Sequence, residues 1–351
     1  MIRKVILTNV AVFLFLIVIA ELVFGNWIWG SDYGMLNIPR NVSRNFDTTG
    51  LYADGGRTQF SRDKNGLRGP YEDASMIDIL AIGGSTTNQI YIDDNQTWLA
   101  ELRRGFKTSG HYITIVNAAV DGQSTRGHIK IFDEWFPNIR NLSADYILAY
   151  VGINDVAVHG AAQYDSMVAT DFSRRIRNWV SNKSAIYNLF RTVRGIITAH
   201  DMDLVHGGGS PFDNSQWVRW QPSSIKVEKD SNLEKALISY RERLEGLVQR
   251  IRDFGAKPIL VNQPTAEYRV RDNWIWVPLT KDGDLFTHGY RTISQFNDVT
   301  MDVCRKVGGR CIDLAREVEF DDGDFYDRIH NTPSGTKKIG QYLYDKLSNI
   351  K

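Results

Sequence analysis

Cysteine is almost absent from this 351-residue sequence: Cys304 and Cys311 are the two present, separated by Arg-Lys-Val-Gly-Gly-Arg. Two thiols at that spacing do not make a zinc site. Outside the cytoplasm they could close a short loop; in a reducing compartment they would be two buried thiols. An excess of either charge is also missing, with 42 basic against 41 acidic residues. Without a global field to gather polyanions, nucleic-acid partners are not expected. The glycine-rich stretch Gly83-Gly84-Ser85-Thr86 lacks the Gly-Lys-Ser/Thr ending of a nucleotide-binding loop.

What is present begins at the N-terminus. After Arg3-Lys4, residues 5–20 carry no charge, Glu21 interrupts, and Leu22-Val23-Phe24 resumes the run. At ~1.5 Å per residue this reaches across a bilayer core. Trp27 and Trp29 fall where an interfacial aromatic belt sits, and the basic pair belongs on the cytoplasmic side, leaving the rest outside as a periplasmic or extracellular domain. A cleaved signal peptide is the rival, yet no small-x-small cleavage site follows and no cysteine is placed for a lipid anchor. Residues 1–30 are therefore expected to be a membrane anchor, with Glu21 as its awkward member.

Residues 31–74 are polar, lack a period and read as a linker and lead-in to a domain over 75–351. In that domain short apolar runs at 76–82, 112–116, 146–151, 258–261 and 311–314 alternate with helical patterns at 98–106, 129–136, 233–254, 292–306 and 333–347. Strands apolar on both faces and separated by helices predict a three-layer α/β/α fold around a five-stranded, mainly parallel sheet. An insertion at about 157–230 breaks the rhythm. Its segment 174–194 carries Arg174, Arg175, Arg177, Lys183, Arg191 and Arg194, either a solvated basic face or one that meets phospholipid or an anionic substrate.

In an open parallel sheet ligands bind beyond the carboxyl ends of the strands. Those ends read Gly83-Gly84-Ser85, Asp121-Gly122 and Gly152-Ile153-Asn154-Asp155, and the last helix is preceded by Asp327-Arg328-Ile329-His330. Each is ambiguous alone: Asn154-Asp155 could cap a helix, Gly122 could be a turn glycine, and Asp327 with His330 could begin a metal pair. Together they describe one chemistry. Ser85 is a nucleophile once His330 takes its proton, and Asp327 fixes the imidazole. The backbone N–H groups of Ser85 and Gly122 and the side-chain amide of Asn154 would stabilise an oxyanion, each worth about 3 kcal/mol.

In this order the blocks resemble the SGNH subgroup of the GDSL hydrolases, from about residue 77 to the C-terminus. The one departure is Gly84, which stands where the name-giving aspartate would. The resemblance implies a flavodoxin-like sheet and neither metal nor organic cofactor. His206-Gly207-Gly208-Gly209-Ser210 looks like the oxyanion loop of a different lipase fold, but the Gly-x-Ser-x-Gly elbow of that fold is absent, so it reads as a loop. The expected activity is removal of small acyl groups, such as acetyl, from an envelope glycan or lipid. An O-acyltransferase with the same acyl-enzyme and an anchored binding protein without turnover are the alternatives. Arg269, Arg271, Trp274 and Trp276 either line the substrate cleft or form a loop that packs on the domain.

Overall fold

Five short apolar segments rich in β-branched residues form one sheet in the computed structural model: β3 (Ile77–Gly83), β4 (Ile115–Asn117), β5 (Ala144–Tyr150), β7 (Lys257–Val261) and β10 (Arg310–Ile312). All four pairings are parallel, and the spatial order is β4-β3-β5-β7-β10. Counted by position within the sheet this is the 2-1-3-4-5 order of a doubly wound flavodoxin-like fold. The structure describes residues 2–28, 36, 38–158, 176, 179–180, 183–187, 189–190, 193, 212–221 and 231–350. Two compact units result, 1–37 with 166–205 and 38–165 with 206–351. Trp29, the 206–210 loop and most of the expected insertion lie outside the described residues.

Alternate strand residues point to opposite faces of the sheet. Ile79, Ala81, Leu148, Ile259 and Val261 pack with Trp98, Leu102 and Phe106 of helix α3 (Trp98–Thr108) and with Ile339, Leu343 and Leu347 of α9 (Pro333–Leu347). Leu80, Ile82, Ile147 and Leu260 are equally buried and face the other way. Helices α4 (Thr125–Glu134), α6 (Ser231–Asp253) and α7 (His288–Val307) pack against one another there, with α6 and α7 on β7. Burying an aliphatic or aromatic side chain contributes ~1.5–3 kcal/mol each. A disulfide between Cys304 and Cys311 fastens the end of α7 to β10, and the short helix α8 (Leu314–Glu317) follows.

Two parts of the fold carry no periodic signal in sequence. The lead-in forms an antiparallel hairpin, β1 (Val42–Asp47) with β2 (Arg57–Arg62). Strands β6 (Trp217–Trp220), β9 (Trp274–Pro278) and β8 (Arg269–Arg271) form a second, antiparallel sheet. The two arginines of β8 are ion-paired, Arg269 with Asp322 and Arg271 with Asp321, and Arg269 lies over the Trp217 ring. Of the two readings for this stretch, packing on the domain is the one these contacts express.

In the other unit, α1 (Ile2–Phe24) is a 23-residue helix. Its Arg3–Phe24 part reaches a mean hydropathy of 2.6 with none of it buried, so it is long and apolar enough to cross a membrane.

Arg62, the last residue of the hairpin, and Arg68, six positions on, are each 4% exposed. Arg68 donates from Nε to Asp94 (2.6 Å), from Nη2 to the Ile92 carbonyl (2.8 Å), and from Nη1 to the carbonyls of Asn88 and Gln89. Arg62 reaches the Gly66 carbonyl (2.6 Å), Asn88 Oδ1 (2.6 Å) and the Ala119 carbonyl. Removing one partner from such a network leaves buried polar groups unmatched. Arg68→Met should therefore lower unfolding stability by about 3–5 kcal/mol, the range for breaking a buried ion pair, measured as a shift in denaturant midpoint at unchanged slope.

Candidate functional site

Helix α2 (Ser85–Asn88) starts two residues beyond the carboxyl end of β3, an interior strand of the sheet. The turn between them is tight enough to demand glycine. A Cβ on Gly83 would lie 2.2 Å from Thr87 Oγ1, and one on Gly84 would lie 2.1 Å from Asn154 Nδ2. The space of the missing aspartate side chain is thus bordered by the Asn154 amide. Helix α2 ends on Gln89 in the left-handed region, φ 52°, a conformation that non-glycine residues hold only when neighbours enforce it. Here its N–H donates to the Ser85 carbonyl (2.8 Å), its Oε1 accepts from Trp98 N (3.0 Å), and its carbonyl accepts from Arg68.

Ser85 Oγ lies 2.7 Å from His330 Nε2, and His330 Nδ1 lies 2.7 Å from Asp327 Oδ2. The second oxygen of Asp327 accepts the backbone N–H groups of Ile329 (2.9 Å) and His330 (2.8 Å). One carboxylate therefore shapes the turn and receives the imidazole, which is how a three-residue spacing aims both groups at Ser85. Tyr326 stacks on the His330 ring at 5.5 Å and 9°, fixing its plane. With Nδ1–H donated to Asp327, Nε2 carries the lone pair and accepts the Ser85 hydroxyl proton.

Gly122 is the third residue of a turn closed by Gln123 N–H to the Val120 carbonyl (3.2 Å) and has φ 73°. That is the place where a type II turn takes glycine. A Cβ there would meet nothing within 4 Å, so the backbone angle and not crowding requires the residue. The turn is tied to the serine loop by Val120 N–H to the Gly83 carbonyl (3.0 Å) and by Asn88 Nδ2 to Asp121 (2.8 Å). Asn154, in α5 (Ile153–Val158), donates one Nδ2 hydrogen to the Gln123 carbonyl at 2.8 Å. An amide nitrogen carries two hydrogens, which leaves one for the site. The loops bearing Ser85, Gly122 and Asn154 are thus joined to one another by direct hydrogen bonds.

Several further residues hold this arrangement, all but Asp155 and Arg328 passed over in sequence reading. Gln263, just after β7, is 2% exposed; it donates to Thr86 Oγ1 (2.7 Å) and accepts from Ile153 N (2.8 Å), bridging the serine turn to α5. Its place at a strand end was the available signal. Asp155 is buried and accepts from Thr125 N (3.1 Å), Thr125 Oγ1 (2.6 Å) and Arg243 Nη2 (3.0 Å), joining α5 to the start of α4 and to α6. Burial pushes its carboxyl upward and Arg243 opposes that shift. The Arg328–Glu267 ion pair and Ala266 N–H to the Arg328 carbonyl (2.9 Å) anchor the histidine turn.

His128 supports the Gly122 turn from beneath, with Nδ1 3.2 Å from Gln123 Oε1 and 1% of its surface exposed. Burial holds its imidazole down at about 3, against 6.5 ordinarily. Between those values the unfolded chain binds a proton that the folded chain does not, so stability is complete above about 6.5 and declines as pH falls toward 3. The slope from this residue is at most ~1.4 kcal/mol per pH unit. In His128→Asn the denaturation midpoint should fall less steeply between pH 7 and pH 4.5, by about one proton's worth.

Comparison with known proteins gives the family of the chain. A family model described as GDSL-like Lipase/Acylhydrolase matches residues 79–343. No curated protein matches significantly. Similar solved structures include a lipase/acylhydrolase from Enterococcus faecalis, with TM-score 0.41, 13% identity, and coverage of 79% of this chain and 98% of that one. The psychrotrophic esterase EstA from Pseudoalteromonas sp. gives TM-score 0.39 at 11% identity, covering 77% and 96%. An acetyl-xylooligosaccharide esterase variant from Geobacillus gives 0.40 at 12%, covering 78% and 96%. With the family model spanning well over half of its length, the chain belongs to the GDSL-like lipase/acylhydrolase family and is a hydrolase of the SGNH type.

Proposed function

We propose that the protein is a membrane-tethered serine esterase that removes small acyl groups, acetyl foremost, from an envelope glycan or lipid. The observation that carries the chemistry is the pair of 2.7 Å contacts linking Ser85, His330 and Asp327. Ser85 Oγ attacks the ester carbonyl carbon while its proton passes to His330 Nε2, and Asp327 stabilises the imidazolium. The carbonyl oxygen becomes an oxyanion, met by the Ser85 and Gly122 N–H groups and Asn154 Nδ2. As the carbon–oxygen bond to the alcohol breaks, His330 returns the proton to the departing oxygen and the acyl group remains on Ser85. Water then attacks, His330 takes its proton, and the acid leaves as Ser85 Oγ is reprotonated.

The choice of substrate rests on the tether. Helix α1 has the length and apolarity of a span, and Arg3-Lys4 orients the bulk of the chain outward. The Cys304–Cys311 disulfide suits an oxidising compartment, where acylated envelope glycans and lipids are found.

On an activated acetate ester, Ser85→Ala should lower kcat by about 10⁴-fold or more, and an organophosphonate should label Ser85 in the wild type alone. Equal rates for the two proteins would overturn the serine mechanism. Asn154→Ala should lose ~10²–10³-fold in kcat, the effect of one oxyanion donor. Gly84→Ala should approach the same loss, because its methyl group displaces the Asn154 amide, while the unfolding midpoint changes little. With an acetylated glycan, acetate released into water supports the esterase; acetyl transferred to a sugar hydroxyl would replace it with the acyltransferase.

A further inference from the structure

Glu21 is the one carboxylate in α1, three positions before its last residue. Its oxygens accept from four donors: Trp27 Nε1 (2.7 Å), Ser184 Oγ (2.6 Å), Ala185 N (3.0 Å) and Ile186 N (3.2 Å). Residues 185–187 are helical, and Ser184 stands at their head with Oγ accepting the Tyr187 N–H at 3.0 Å. The first N–H groups of a helix lack partners within it and favour an anion. Glu21 supplies that anion from a point 163 residues earlier in the chain. Asn26 N–H to the Lys183 carbonyl (2.8 Å) makes the joint two-sided.

The turn that Glu21 starts faces outward. Ile186, Leu189, Phe190 and Val193 are helical, fall at i, i+3, i+4 and i+7, and are 39%, 65%, 61% and 47% exposed. Such spacing makes one apolar stripe, and a stripe of this kind in water marks a surface meant to be covered. Its attachment indicates the cover. It begins at the end of α1, whose own apolar side chains are exposed along the helix, and both belong to one compact unit. Trp27 packs edge-on against Trp179 at 5.6 Å, and Lys183 Nζ lies 5.8 Å from the Trp179 ring centre. Indole rings beside a lysine suit the headgroup layer, and Arg191 and Arg194 add positive charge in sequence.

We infer that the stripe of Ile186, Leu189, Phe190 and Val193 rests in the interface of the bilayer that α1 crosses, with Glu21 as the clasp that holds it there. The inference depends on α1 being a span. It gives the membrane a second contact, made by a segment remote in sequence, and it removes the objection to a carboxylate in α1: four donors satisfy it.

The full chain, its native disulfide intact, is reconstituted into phosphatidylcholine vesicles containing phosphatidylglycerol. An environment-sensitive fluorophore is placed on Phe13→Cys, Leu189→Cys, Phe190→Cys or the exposed Tyr112→Cys. Fluorescence at 13 should be quenched by lipids spin-labelled deep in the acyl chain. At 189 and 190 it should be quenched by lipids labelled near the headgroup, several-fold more than at 112, and shielded from aqueous iodide. Adding Glu21→Ala should return the signal at 190 toward that at 112 while leaving 13 unchanged. Iodide-accessible labels at 189 and 190 beside a quenched label at 13 would overturn the inference and leave the anchor standing. An unquenched label at 13 would remove the anchor and the inference with it. A blue-shifted label at 190 that no lipid quenches would mean a protein contact, which also overturns it. Full lipid quenching at 190 in Glu21→Ala would take the clasp role from Glu21.

Discussion

The 2.7 Å hydrogen bond between Ser85 and His330 joins residues 245 positions apart, and the remainder of its unit is arranged so that these two atoms meet. Closing so long a loop is entropically unfavourable, and a single hydrogen bond, worth about 1 kcal/mol net, does not offset it. The sheet and its helices do. Strand β3 is flanked by β4 and β5, so Ser85 stands beside the loops that follow those two strands. The histidine turn is delivered by α9, whose Ile339, Leu343 and Leu347 share one apolar cluster with Trp98, Leu102 and Phe106 of α3. Helix α3 in turn touches the serine turn directly, through Trp98 Nε1 to the Thr86 carbonyl at 3.2 Å. Hydrophobic packing thus brings the ends together, and the short polar contacts only set their final register.

This division explains what was legible in sequence. Apolar runs and their alternation with helical periods depend on local chemistry, so the five parallel strands and α9, over 333–347 in both readings, could be placed without coordinates. Helix α4 was expected from 129 and begins at Thr125, because its first turn, Thr-Arg-Gly-His, is polar or conformationally loose and shows no apolar face. The candidate site residues stood out for another reason: Ser85, Gly122, Asn154, Asp327 and His330 stand at strand ends or just before the last helix, where an open parallel sheet takes its ligands.

Supporting groups were not legible, because their partners are distant and mostly backbone. Arg62 and Arg68 look like solvated residues in a polar lead-in. Their guanidinium groups are spent on carbonyls at 66, 88, 89, 92 and 119, contacts that leave no spacing in the sequence. Gln263 likewise leaves no spacing signal, since it bridges the Thr86 hydroxyl and the Ile153 N–H. The strands at 217–220 and 269–278 failed to announce themselves for a further reason: they mix tryptophans with arginines, which stack as Arg219 on Trp274 and Arg269 on Trp217, so the segment does not alternate between apolar and polar.

Glu21 and Gly84 each break a local expectation, and each is resolved by a neighbour far away in sequence. A carboxylate in an apolar helix is unfavourable until four donors surround it, and the donors come from residues 27 and 184–186. A glycine in place of the family's aspartate looks like a loss until Asn154 is seen 2.1 Å from where its Cβ would stand. In both places the exception is where one chain segment is fixed against another: α1 against the segment at 184, and the serine turn against α5. A side chain at 84 and the present seat of the Asn154 amide are mutually exclusive on this backbone. The glycine keeps the amide where it donates to the Gln123 carbonyl, and so keeps α5 joined to the Gly122 turn.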